Sequence, residues 1–102
     1  MKKIKKILNM KNKSKIVCLT SYSYNITSIL DKYCDIILVG DSLANVLYGM
    51  GNTHSINLNT MMQHALSVKK KIKNSLFIID LPKGTYRNPN TALKNSKFLM
   101  KK

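Results

Sequence analysis

Ile36-Ile37-Leu38-Val39-Gly40-Asp41-Ser42-Leu43 is the stretch that decides how this chain is read. Four apolar residues in unbroken succession make a strand of ordinary length, and a continuous rather than alternating run is the pattern of a strand covered on both faces. Gly40 ends the run and an acid follows at once. The same order recurs at Leu76-Phe77-Ile78-Ile79-Asp80-Leu81-Pro82. The chain has only four acidic residues, all of them Asp, so the placement of two directly after strands is informative. In α/β proteins built on parallel strands, the carboxyl ends of the strands open onto the ligand site. Asp41 and Asp80 are therefore the leading site candidates, against the competing reading of a strand-end Asp as the N-cap of the next helix.

Working outward, Lys15-Ile16-Val17-Cys18-Leu19-Thr20 reads as a first strand. Between it and the second, Ile26, Ile29, Leu30 and Tyr33 fall at i, i+3, i+4, i+7, which predicts a helix over Asn25 to Cys34 with Ser23 as its cap. A short helical turn from Ser42 to Tyr48 then gives way to the loop Gly49-Met50-Gly51-Asn52. A helix from about Asn59 carries the stripe Met61, Ala65, Val68 and Ile72, with Lys69, Lys70, Lys71 and Lys73 near its C-terminus, where cations suit the helix dipole. Pro82, Lys83 and Gly84 form the loop after the third strand. Asn88-Pro89 then opens a last helix, with Ala92, Leu93, Ser96, Leu99 and Met100 as its inner face. Three successive β-α units predict a parallel sheet with right-handed crossovers. The domain reading is a Lys-rich N-terminal helix or tail at 1–14, followed by a single α/β portion at 15–102.

Composition bounds the function. Eighteen basic residues against four acids give a formal net charge of +14, which taken alone favours nucleic acid or anionic surfaces. All but one of these bases are Lys, scattered along a chain that is also rich in Asn and Ile, without the Arg and aromatic interleaving used for base stacking. Biased composition is the stronger reading, and no specific nucleic-acid partner is expected. A basic RNA-binding module is kept as the alternative from a different class; it requires salt-sensitive binding with sequence or structure preference. Cys18 and Cys34 stand apart from each other and from any His pair, so both are expected to be buried, reduced thiols of a cytoplasmic protein. The N-terminal Lys/Ile segment lacks the apolar run of a secretory signal, and no stretch approaches a membrane span.

The separation of Asp41 and Asp80, 39 residues, is close to one β-α unit of a barrel of about 250 residues divided by eight, with an inserted loop. Neighbouring strands would set both carboxylates on one rim. Two oxygen ligands without a nearby thiolate or His pair suit a hard cation such as Mg²⁺, which keeps waters and accepts substrate oxygens.

Three segments, Leu19-Thr20-Ser21-Tyr22-Ser23-Tyr24, Leu38-Val39-Gly40-Asp41-Ser42-Leu43 and Asp80-Leu81-Pro82-Lys83-Gly84-Thr85-Tyr86, together with the Met61-Met62-Gln63-His64 helix, resemble the ketopantoate hydroxymethyltransferase family over residues 15–102. The resemblance implies the first three β-α units of a (β/α)8 TIM-type barrel, incomplete in this chain. It implies an activity that transfers a one-carbon unit from 5,10-methylenetetrahydrofolate to 3-methyl-2-oxobutanoate, giving ketopantoate for pantothenate biosynthesis. By the same resemblance Asp41 and Asp80 are Mg²⁺ ligands, and Asp41, Ser42 and Asp80 form the substrate-binding set. A 2-oxo acid and a folate are the partners, with a homo-oligomer in the full-length family and no membrane.

The family's general base is a Glu beyond the segment that this chain matches, as are a further Glu ligand and a substrate-binding Lys. The chain contains no Glu at all. No catalytic residue is therefore expected within it, and the reading is a partial or truncated enzyme chain, with a non-catalytic remnant as the alternative. Three departures touch the rim: Ser23 where the family has an acid, Lys83 where it has an aromatic, and Gly51-Asn52-Thr53-His54-Ser55 in place of an Asp-Ser-Thr-Leu-Pro loop. His54 is expected to be solvated. An isocitrate lyase-like Mg²⁺ barrel is a rival that shares strand-end acids but not this pair of motifs. A piece of barrel with open sheet edges is expected to be marginally stable or to associate.

Overall fold

A computed structural model describes residues 1–102. In chain order the elements are α1 (Lys2–Met10), β1 (Cys18–Thr20), α2 (Tyr24–Leu30), β2 (Ile36–Val39), α3 (Leu43–Val46), α4 (Leu58–Lys69), β3 (Leu76–Ile79) and α5 (Pro89–Met100). The strands form one parallel sheet in the order β1-β2-β3, with Cys18 opposite Ile36 and Ile36 opposite Leu76. Sequential parallel neighbours joined by helical crossovers are the expected β-α winding. β2 and β3 have the bounds read from their apolar runs.

β1 is shorter than its run. Lys15 to Val17 lie outside the ladder because Val17 faces Asp35, the residue before β2 begins. There the Val17 N–H donates to Asp35 Oδ2 at 2.9 Å, and the Val17 carbonyl accepts from the N–H groups of Asp35 and Ile36. The helices start where short polar side chains satisfy orphan amides: Ser23 accepts from the Ile26 N–H, Asn57 from Thr60 and Asn88 from Thr91, with Pro89 just inside α5.

Register places Leu19, Ile37, Val39, Phe77 and Ile79 on one face of the sheet, and Cys18, Thr20, Ile36, Leu38, Leu76 and Ile78 on the other. Helices cover only the first face. The core gathers Ile37 and Val39 with Cys34, Leu43, Ala44, Ile56, Met61 and Val68, each fully buried Leu or Ile contributing about 2 kcal/mol. Ile78, on the second face, is 40% exposed. The expectation of strands covered on both faces is thus corrected: in this chain the second face has nothing packed across it, and only 16 of 102 residues are buried.

Three further expectations change. Of the α2 stripe only Leu30 packs against the core, while Ile26, Ile29 and Tyr33 are exposed; the helix ends at Leu30, and its buried residue is Thr27, whose hydroxyl is bonded to Ser21 Oγ at 2.7 Å. In α5 only Leu99 of the assigned inner face is buried, whereas Leu93 and Met100 are exposed because nothing covers the outer flank of β3. Cys34 is buried but Cys18, on the edge strand and the open face, is exposed. The α4 stripe holds: Met61, Ala65 and Val68 are buried, and Ile72 packs on the core just beyond the helix. No helix is long and apolar enough to cross a membrane.

Asp31 is the main polar clamp. It caps α2 and is 4% exposed. Its carboxylate accepts from the backbone N–H groups of Lys73, Asn74 and Ser75 at 2.9 to 3.2 Å, tying the end of α2 to the approach of β3. Burial by itself raises its pKa, but these donors outweigh burial and hold the carboxyl below its ordinary value.

Candidate functional site

The two candidate acids come together. Asp80 follows β3 and Asp41 follows β2 by one residue, and the Asp80 N–H continues the ladder to the Val39 carbonyl at 3.0 Å. The Asp41 N–H donates to Asp80 Oδ2 at 3.0 Å, so the second acid is oriented by the backbone of the first. Gly40 makes this approach possible. A Cβ there would stand 3.2 Å from Ser42 Oγ, close enough to shift that hydroxyl by a few tenths of an ångström, and 3.4 Å from Asp80 Oδ2, at ordinary contact.

Neither acid caps a helix. α3 is preceded by Ser42 without a side-chain cap bond, and α5 is capped by Asn88. The cap reading of Asp41 and Asp80 is therefore wrong, for the physical reason that the chain continues through a loop after Asp80 and turns too early after Asp41. Both acids and Ser42 are half-buried at the carboxyl ends of adjacent strands. Nowhere does a group of three His, Cys, Asp or Glu side chains meet. Two half-buried carboxylates fit a hard cation that takes its remaining oxygens from water and ligand, and they fit a softer or fully caged metal poorly.

Ser42 is held from behind. Tyr22, in the turn after β1, meets Ser42 Oγ with its hydroxyl at 2.5 Å. The Tyr22 carbonyl is in turn bonded to His64 Nδ1 on α4 at 2.9 Å, and His64 Nε2 meets the Tyr48 hydroxyl at 3.0 Å. The Tyr48 and His64 rings pack edge-on. Tyr22 and His64 were legible only as members of motifs. Their connection spans 42 residues, and no local pattern reports it.

The rim departures lie further out. His54 is exposed, as expected, with the Lys83 ammonium 3.5 Å from its Nδ1. Together with Gly84, Tyr86 and Arg87 they line an open cleft. Ser23 is spent as the cap of α2. A separate apolar cleft of about 190 Å³ lies between α4, β3 and α5, away from the acids.

A three-stranded parallel β-α sheet with Asp41, Ser42 and Asp80 at neighbouring strand ends defines an α/β protein, and in that class the carboxyl-end rim is where ligands are held. The family model described as ketopantoate hydroxymethyltransferase matches residues 1–102. The chain belongs to that family. It is 48% identical over 101 residues to the 3-methyl-2-oxobutanoate hydroxymethyltransferase of Pelagibacter ubique strain HTCC1062, a match that covers 99% of this chain and 39% of the relative. It is 43% identical over 95 residues to the protein of that name from Agrobacterium fabrum strain C58, covering 92% and 34%. With that from Anaplasma marginale strain Florida it shares 40% over 90 residues, covering 88% and 32%. The chain thus spans between about a third and two fifths of these relatives' length.

Proposed function

We propose that this chain carries the metal- and keto-acid-holding part of a 3-methyl-2-oxobutanoate hydroxymethyltransferase, acting with 5,10-methylenetetrahydrofolate in pantothenate biosynthesis. Residues 15–102 would be the first three β-α units of a (β/α)8 barrel, preceded by an N-terminal helix within 1–14, in a cytoplasmic enzyme. The observation that carries the reading is the bond from the Asp41 backbone N–H to the Asp80 carboxylate, which ties together two acidic residues at adjacent strand ends.

Asp41 and Asp80 would hold Mg²⁺, which when bound supplies a Lewis acid for the keto and carboxylate oxygens of the acid. The chain's own part is positional. Asp80 is held by the Asp41 amide through one oxygen, and its other oxygen would remain for the ion. Ser42, held by Tyr22, would donate to an oxygen of the acid. Proton removal beside the carbonyl needs a base of suitable pKa at that carbon; by the family resemblance this role belongs to a Glu beyond the matched segment, and Asp41 and Asp80 need not supply it.

The test is a binding titration of the chain with 3-methyl-2-oxobutanoate, with and without Mg²⁺. Binding of the acid should require the metal and should fall at least tenfold in Asp80→Asn, whose amide oxygen still accepts from Asp41 and leaves the turn intact. Metal-independent binding, unchanged by Asp41→Asn and Asp80→Asn, would refute the site. Folate-dependent ketopantoate formation by the 102-residue chain alone would refute the placement of the base.

A further inference from the structure

We infer that Tyr22 and His64 form a positioning relay that aims the Ser42 hydroxyl at the carboxylate of the bound acid, a role that rests on the function proposed above. The atoms decide the direction of each bond. A carbonyl oxygen only accepts, so His64 Nδ1, 2.9 Å from the Tyr22 carbonyl, must carry the proton. In a neutral ring Nε2 is then an acceptor, and the Tyr48 hydroxyl at 3.0 Å is its donor. His64 is thereby locked in one tautomer from both sides, and its own backbone is fixed by α4, where the adjacent Ala65 is buried.

The second half of the relay follows from acidity. A phenol, with a pKa of about 10, is a far better donor than an aliphatic alcohol. Between Tyr22 and Ser42 at 2.5 Å the phenol therefore donates and the serine oxygen accepts. That leaves the Ser42 proton free for an acceptor on the rim, and accepting one bond strengthens the bond it donates. Such a donor suits an anionic oxygen. Asp41 and Asp80 repel that anion unless a cation lies between them, so the relay supplies an oriented donor on this side of the site. Tyr22 needs its main chain held to point its ring at Ser42, and His64 does that from another helix.

Two readouts on the 102-residue chain test the relay, and the first needs no variant. With ¹⁵N-labelled His, the His64 ring nitrogens should report the neutral Nδ1–H tautomer; an Nε2–H ring, or one that averages between the two, would overturn the relay. The second is affinity. Tyr22→Phe should weaken 3-methyl-2-oxobutanoate in the presence of Mg²⁺ about tenfold, while affinity for Mn²⁺ as a metal probe without the acid changes less than about twofold. His64→Ala should mimic Tyr22→Phe, and His64→Asn, whose amide nitrogen replaces Nδ1, should restore much of the loss. Equal loss of metal and acid binding in Tyr22→Phe would show a structural role only and refute the proposal. Failure of the unsubstituted chain to bind the acid would refute the proposed function and the relay's role in it, while the tautomer reports the geometry independently.

Discussion

Replacing Asp31 by Ala should cost about 3 kcal/mol of unfolding free energy, more than any other single polar substitution in the chain. Its carboxylate accepts three backbone N–H groups. Ser75 is fully buried, so its N–H loses its only acceptor with no water to replace it, a cost of about 2 kcal/mol. Lys73 and Asn74 are exposed and can turn to solvent, losing about 0.5 kcal/mol each. At about 5 °C per kcal/mol for a chain of this size, the melting temperature should fall by about 15 °C. Asp31→Asn keeps one accepting oxygen and should lose about half as much. The folded-state carboxyl lies below its ordinary value of 3.8, so its contribution is complete above the unfolded-state pKa and disappears as the pH falls through the lower folded-state value. Urea unfolding followed by circular dichroism should therefore show stability decreasing below about pH 4, with a shallower acid dependence in Asp31→Asn. An Asp31→Ala chain within about 0.5 kcal/mol of the parent, with the same acid dependence, would refute the clamp.

Other expectations are simpler to check. A thiol reagent should label Cys18 rapidly and Cys34 only on unfolding, because burial first, and the charges of Asp35, Cys18 and Asp31 after it, push the Cys34 thiol up; a single fast phase that survives Cys18→Ser would contradict this. Asn88→Ala removes the acceptor for the Thr91 N–H and should cost about 1 kcal/mol in thermal unfolding. The open sheet face should promote association: scattering mass should rise with protein concentration and fall in Ile78→Lys, whereas a concentration-independent monomer would show that the face is tolerated in water.

The sheet was legible because β2 and β3 are written as unbroken apolar runs closed by Gly-Asp and Asp-Leu-Pro, and a strand needs nothing but its own residues to show that pattern. α5 was legible at its start, where Asn88 and Pro89 combine a cap with a fixed backbone angle. Which face of each element is buried was less so. Ile26 and Ile29 have helical spacing, yet they point into solvent; spacing records that a helix has an apolar side and not whether a neighbour is present to cover it. Thr27, the residue that α2 does bury, carries a hydroxyl and gives no apolar signal, and its partner Ser21 lies before the helix. The carboxylate pair was found from its position alone, but its supports were not. Asp31 meets Lys73 to Ser75, and His64 meets Tyr22, only after the chain has crossed the sheet.

The four Asp residues divide by how far the protein satisfies them, and that division is what separates framework from site. Asp31 accepts a full set of N–H donors and Asp35 braces β1 through the Val17 amide, so replacing either charge is a question of stability. Asp80 accepts one N–H, which orients it and leaves an oxygen free, and Asp41 gives that N–H from its own backbone. A carboxylate that the chain orients without saturating keeps its capacity for a ligand. The same logic extends to Ser42 under the proposed relay, its oxygen accepting from Tyr22 and its proton left available. Of these three polar groups on one rim, Asp80 and Ser42 are each steered by a partner behind them, which is costly to arrange for stability alone. Their convergence at adjacent strand ends is the reason to place the ligand there and not in the apolar cleft beside α5.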